Sequence, residues 1–170
     1  MFAALGLSLA VVLQTAPAPR EAIPLGAAYD PSNPFAMILN GEASTAVVAE
    51  TDGALAFMDR SPASPGHVLV IPKSPTVSLL DSTPEQLADV MALARCVAIA
   101  QTAAFTPDGM TGISLRQNNG APNQHVGHLH VHVLPLYGVR PPNAPTSPMS
   151  PQDLEPVAAR IRAHLPTTGC

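Results

Sequence analysis

Four of the six histidines fall within eight residues: His125, His128, His130 and His132. The last three alternate with apolar residues in His128-Leu129-His130-Val131-His132-Val133-Leu134. In an extended strand successive side chains point to opposite faces. Such a strand puts the three imidazoles on one face, with neighbours about 6.6 Å and the outer pair about 13 Å apart. One metal ion takes an i, i+2 pair from such a row but hardly all three rings. A neutral imidazole is a nucleophile towards phosphorus, and a protonated one stabilises oxyanions. The preceding loop, Asn118-Asn119-Gly120-Ala121-Pro122-Asn123-Gln124, supplies amide donors and a glycine. Those groups suit phosphate oxygens without adding positive charge. The residues alone point to phosphoryl or nucleotidyl transfer through a histidine. The rival is a zinc-binding enzyme or metal-binding module using His128/His130 or His130/His132 with His67. It lacks a third ligand at metal-site spacing and has no Cys nearby. A nucleotide-binding module without turnover is a third alternative.

The elements that must position these rings are legible in outline. Segments 46–50 and 54–58 read as strands around Thr51-Asp52-Gly53, a hairpin signal because Asp and Gly tolerate positive φ. A loop rich in turn residues, 59–66, leads to an apolar strand over 67–71 that ends at Pro72. Thr83-Pro84-Glu85-Gln86 has the pattern of a capped helix start. Leu87, Val90, Met91, Ala94, Val97 and Ala98 then recur at helical spacing, and the helix ends near Phe105. Segment 112–117 alternates as a strand, and 128–134 is the final strand. Segment 154–165 is an amphipathic helix with Leu154, Val157, Ala158, Ile161 and Leu165 on one face. The order predicts an α+β fold, with one long helix and a C-terminal helix packed on a mostly antiparallel sheet.

Composition bounds the function. The chain has 170 residues, 46% hydrophobic and 12% charged, with a formal net charge of −4. Mean hydropathy is +0.21. That supports a packed core in one domain and excludes a disordered chain. Lys73 is the only lysine, and no basic stripe exists for tracking the phosphate backbone of nucleic acid. The two cysteines, Cys96 and Cys170, form no CxxC pair. A zinc ribbon and a thioredoxin motif are therefore excluded, and Cys96, inside the long helix, reads as a small buried hydrophobe, with a disulfide to Cys170 as the alternative. Segment 2–13 is an apolar run, too short to span a bilayer, which takes about 20 residues. It fits the core of a signal peptide, with Ala16-Pro17-Ala18 as a cleavage site and Gly26-Ala27-Ala28 as a second. Export to the periplasm or medium is expected, with a cytoplasmic location as the alternative, and no stable membrane span remains after cleavage. The organisation expected is a leader at 1–28, a domain at 29–140, a Pro-rich linker at 141–152 and a helix at 153–166 packed on the domain.

The whole run 128–134 resembles the motif of the histidine triad (HIT) superfamily, in its Hint/Fhit-like nucleotide hydrolase branch. The resemblance covers about 34–165. It takes in Ile38 to Glu42, Leu55-Ala56-Phe57-Met58-Asp59-Arg60-Ser61-Pro62, Gly66-His67-Val68-Leu69-Val70-Ile71-Pro72-Lys73, and the Asn-Asn-Gly loop with Gln124 four residues before His128. It implies a double displacement at the α-phosphate of nucleoside phosphoramidates or dinucleoside polyphosphates. By position His130 is the nucleophile, His132 binds the phosphate and His128 orients the nucleophilic ring. Asn118 and Gln124 hold phosphate oxygens, His67 lies on the phosphate or leaving-group side, and Asp59 contacts ribose hydroxyls. His132 stands where transferase branches carry Gln, which points to hydrolysis. No cofactor is implied, and a homodimer is. Several positions depart from the pattern. His125 replaces a Ser or Thr that assists the leaving group; an imidazole there contacts the substrate and donates that proton, or else stands in solvent. The loop is one residue shorter than usual, which leaves Asn118 and Asn119 as alternatives. Asn123 replaces a common Gly, and Leu136 stands in place of an Arg. Asn33-Pro34-Phe35 lacks a zinc-binding cysteine pair, so no such structural zinc is expected.

Overall fold

The computed structural model describes residues 21–139 and 148–169. Most of the expected leader, with Ala16-Pro17-Ala18, lies outside the described residues, as do most of the Pro-rich linker and Cys170. Five strands form one antiparallel sheet in the order β1-β2-β3-β5-β4: β1 (Val47–Glu50), β2 (Ala54–Met58), β3 (Val68–Pro72), β4 (Met110–Gln117) and β5 (Val131–Tyr137). The expected hairpin joins β1 to β2, and Thr51 N–H donates to Ala54 O across its turn at 2.9 Å.

Period-two alternation gives the sheet two distinct faces. Ala54, Ala56 and Met58 of β2, Val68 and Val70 of β3, and Val131 and Val133 of β5 face the helices. Leu55, Phe57, Leu69 and Ile71 face the other way and pack with Phe35 and Val126. The helix-covered face carries α2 (Pro84–Phe105) and α3 (Pro151–Arg162), whose Leu154, Ala158 and Ile161 join the core. The sequence placed the start of the last helix a few residues late, because Ser150 caps it in a capping box with Asp153.

Helix α2 begins as expected, with Thr83 and Gln86 closing a capping box. Its buried stripe is Val90, Leu93, Ala94, Val97, Ala100 and Ala104, so the expected face is corrected: Met91 is exposed. Gln101 is fully buried in the same stripe and donates to Gly66 O at 2.8 Å and Val133 O at 3.2 Å. One helix side chain thus ties down the backbone beside both His67 and His132. Cys96 is buried, as expected, and is disulfide-bonded, the alternative that the sequence left open.

The open face carries a helix that the strand-and-helix pattern did not anticipate, α1 (Pro34–Leu39). Asn33 caps it by accepting from Phe35 N–H and Ala36 N–H at 2.9 and 3.0 Å, and Pro34 takes the first helical position. The helix lays Phe35 edge-on against Phe57, ring centres 5.4 Å apart. Residues 21–28 also lie against the fold, with Ile23 N–H donating to Gln124 O at 2.7 Å. Setting all of 1–28 apart from the folded domain did not anticipate that contact.

Candidate active site

The histidine row does gather on the face that carries α1, but regular strand begins only at Val131, so His132 alone lies within β5. The backbone before it is diverted from the ladder: Leu129 N–H donates to Thr76 O at 2.8 Å, and His128 O accepts from the His130 ring. The rings still adjoin. Those of His130 and His132 are centred 5.0 Å apart, and Phe35 stands edge-on to His130 at 5.3 Å.

The hydrogen bonds assign the protons. His130 Nδ1 lies 2.7 Å from His128 O, a group that only accepts, so Nδ1 carries the hydrogen and Nε2 keeps its lone pair. His128 is fully buried with both nitrogens engaged: Nε2 donates to Pro72 O at 2.9 Å, and Nδ1 accepts from the Tyr29 hydroxyl at 2.9 Å. Burial holds the pKa of both rings below the usual imidazole value. The His130 lone pair is therefore free of a proton at neutral pH.

A second row runs from His132 to Asp59. His67 Nε2 lies 2.9 Å from His132 Nδ1, and Ala63 N–H points at His67 Nδ1 from 3.2 Å. That pattern puts the His67 hydrogen on Nε2, donating to His132, and leaves His132 Nε2–H as the donor available to a ligand. The Asp59 carboxylate sits 3.3 Å from His67 Nδ1, placed to hold a proton that arrives there. Burial lowers the His67 pKa, with Asp59 opposing the shift. Burial and then the neighbouring His130, His67 and Arg116 push His132 down to about 3. Asp59 was expected beside ribose; here its other oxygen accepts from Ser61 N–H at 2.8 Å, and both oxygens face protein groups.

The Asn-rich loop separates into braces and a free amide. Asn119 donates to Gln117 Oε1 at 2.7 Å and accepts from Leu79 N–H at 2.8 Å, so it is committed to the loop. Asn118 makes no side-chain hydrogen bond among the described residues, which leaves it as the available amide of the two. Gln124 is buried. Its oxygen accepts from Gly120 N–H at 2.8 Å, and its amide donates to Val77 O at 2.6 Å and Val126 O at 3.1 Å. As arranged it braces the loop, and a phosphate contact would require one of those bonds to be exchanged. His125 is exposed, with no side-chain hydrogen bond among the described residues.

Asp59, His67 and His132 each offer a ligand atom within 4.8 Å of the others. Both His67 nitrogens are already engaged, Nε2 with His132 and Nδ1 with Ala63 N–H and Asp59, so a metal held by this set would have to displace one of those contacts. The pairs considered from sequence fare no better where they use His128, whose nitrogens are both occupied. Three contributors were not found from sequence. Phe35 had a signal in the Asn-Pro helix start. Tyr29 had none. Arg116, opposite His132 in the β4–β5 register, is visible only once the strands are paired.

Comparison with known proteins agrees with this arrangement. Residues 40–139 match the HIT domain family. The chain is 32% identical over 136 residues to the adenosine 5'-monophosphoramidase hnt1 of Schizosaccharomyces pombe, covering 77% of this chain and 96% of that one. A Hit-like protein of Bartonella henselae, solved with an unknown ligand, superposes with a TM-score of 0.74 at 38% identity, over 82% of this chain and 100% of the other. A zinc-bound histidine triad family protein of Mycobacterium smegmatis gives 0.65 at 32%, over 78% and 92%. With the family model matched over residues 40–139 and a relative 32% identical covered over 96% of its length, the chain belongs to the histidine triad (HIT) family.

Proposed function

We propose that the protein is a nucleotide hydrolase acting at the α-phosphate of nucleoside phosphoramidates or dinucleoside polyphosphates through a nucleotidyl-histidine intermediate. The observation that carries this reading is the locked His130 ring: Nδ1–H bound to His128 O at 2.7 Å, Nε2 unprotonated. His130 Nε2 attacks phosphorus, a P–N bond forms, and the bond to the amine or phosphate leaving group breaks. The leaving group departs with the bonding pair, and an amine takes up a proton carried by the His67–His132 row, which the water attacking in the second step returns. Water then attacks phosphorus, the P–N bond breaks, and nucleoside monophosphate is released. His132 Nε2–H and the Asn118 amide hold phosphate oxygens. The monophosphoramidase activity named for the yeast relative supports the amidate class.

The test is mass spectrometry at alkaline pH, where a phosphorus–histidine bond survives, on protein mixed briefly with adenosine 5'-phosphoramidate. The expected result is one added nucleoside monophosphoryl group on the peptide containing His130. Turnover with no adduct on His130, or an adduct on another ring, would overturn the mechanism.

Export and dimerisation belong to the same proposal. The apolar run at 2–13 and the disulfide at Cys96 support an oxidising compartment; fractionation of an expressing cell tests this, and a wholly cytoplasmic chain would refute it. Exposed Met91 and Ile99 on α2 support a homodimer, and a monomer mass by light scattering at micromolar concentration would refute that.

A further inference from the structure

The geometry points to the N-terminal arm, residues 21–29, as a built part of the active site, with Tyr29 as a positioning residue that fixes the nucleophile through His128. This inference rests on the mechanism proposed above for the role of His130, but its structural core does not. Three contacts carry it. The Tyr29 hydroxyl donates to His128 Nδ1 at 2.9 Å, and the tyrosine ring stands edge-on to the imidazole with centres 5.5 Å apart. Ile23 N–H donates to Gln124 O at 2.7 Å, tying the arm to the loop that Gln124 braces. Leu25 lies over Gly120, where an added Cβ would meet Leu25 Cγ at 2.8 Å, and Gly120 has a φ of +72°. Glycine is therefore required there both for the turn and for the approach of the arm.

The chain of action is short. Of the two His128 nitrogens, Nε2 is held by Pro72 O and Nδ1 by Tyr29. A ring held at both ends fixes the residue whose carbonyl in turn holds His130 Nδ1–H. Without the tyrosine hydroxyl, His128 Nδ1 is a buried acceptor with no partner, and the ring is free to tilt about its remaining bond. The carbonyl then no longer holds the nucleophile in one orientation. An arm that does this must survive leader removal. Cleavage after Ala18 keeps it, whereas cleavage after Ala28 removes Ile23 and Leu25 and leaves Tyr29 as a charged chain end.

The experiment compares Tyr29→Phe with wild type, since Phe keeps the ring packing and removes only the hydroxyl. The first readout is the 15N resonance of His128 Nδ1 in the free protein, which needs no substrate. It is expected at the position of a hydrogen-bonded acceptor in wild type and at that of an unbonded one in the variant. The second readout is steady-state kinetics with adenosine 5'-phosphoramidate, with kcat expected to fall roughly tenfold and KM to stay within twofold, the scale of one neutral hydrogen bond. An unchanged Nδ1 resonance, or a moved resonance with unchanged kcat, would overturn the inference. If wild type turns over no nucleotide, the proposed function falls while the resonance still decides the Tyr29–His128 bond. Unfolding by Tyr29→Phe is checked by far-UV circular dichroism. Ile23→Pro in the full chain, which removes the N–H that Gln124 O accepts, tests the arm separately, and full kcat in that variant would also overturn the proposal.

Discussion

Replacing Asp59 with Asn separates two roles for that carboxylate. The resemblance to nucleotide hydrolases assigns it to ribose hydroxyls, whereas the structure puts it 3.3 Å from His67 Nδ1, at the far end of a row that runs through His67 to His132. A unit charge at that distance interacts with a protonated imidazole by about 5 kcal/mol at an effective dielectric constant near 20. That figure is an upper bound, because the Ala63 N–H pointing at the same nitrogen must give way when His67 gains a proton. General acid assistance to a leaving group is worth roughly 10²- to 10⁴-fold. Asn keeps the shape and the hydrogen bond from Ser61 but removes the charge that holds a proton on His67. The expected loss in kcat is therefore on the order of ten- to a hundredfold for an amine or alkoxide leaving group. It should be small for a leaving group that departs without a proton, and KM should shift less than threefold in both cases. The assay is steady-state hydrolysis of paired adenylyl substrates with good and poor leaving groups. The result that would refute the reasoning is a KM raised tenfold or more with kcat unchanged for both substrates. That is what loss of a ribose contact would produce, since it removes binding equally from ground and transition states.

His130→Ala should lower turnover by at least 10³-fold, about 4 kcal/mol in the barrier, with the circular dichroism spectrum retained; near-normal hydrolysis of adenosine 5'-phosphoramidate would remove His130 as nucleophile. Exhaustive EDTA treatment should leave activity unchanged, because no step of the proposed reaction uses an ion; a loss restored by zinc would favour a metal enzyme. Stability should fall with acid before the carboxylates titrate. His67, His128, His130 and His132 all have pKa values below those of the unfolded chain. The unfolded state therefore binds more protons below about pH 6.5, and stability declines from there towards the pKa of His132 at about 3. A Tm measured from pH 7.5 to 5 should drop steadily, and a flat Tm across that range would contradict the burial argument.

Periodicity reports which face a side chain takes, and that is where the sequence was most informative. The alternation at 128–134 placed the imidazoles on one side of the chain and the valines on the other, although regular strand starts only at Val131. It starts late because His128 and Leu129 spend backbone groups on the His130 ring and on Thr76 O, which no alternation rule describes. Along α2 the same kind of rule put Met91 on the buried face, since helical spacing gives a stripe but fixes its centre only to within a residue or so. The burial of Leu93 and Ala100 between α2 and the sheet turned the stripe away from Met91.

Partners distant in sequence were not legible at all. Tyr29 and His128 are 99 positions apart, and His67 and His132 are 65 apart. Reading 1–28 as a leader hid the contacts of Ile23 with Gln124 and of Leu25 with Gly120. Asn118 and Asn119 carry the same side chain in adjacent positions, and only the bonds from Asn119 to Leu79 and Gln117 divide their roles. The identities of the reacting groups were therefore a local property of the sequence. Their protonation states were not, because each is set by what touches the ring nitrogens: His128 O for His130, His67 for His132, Pro72 O for His128. A chain with the same histidine run but without those contacts would keep the motif, yet nothing would fix which nitrogen of His130 carries the lone pair.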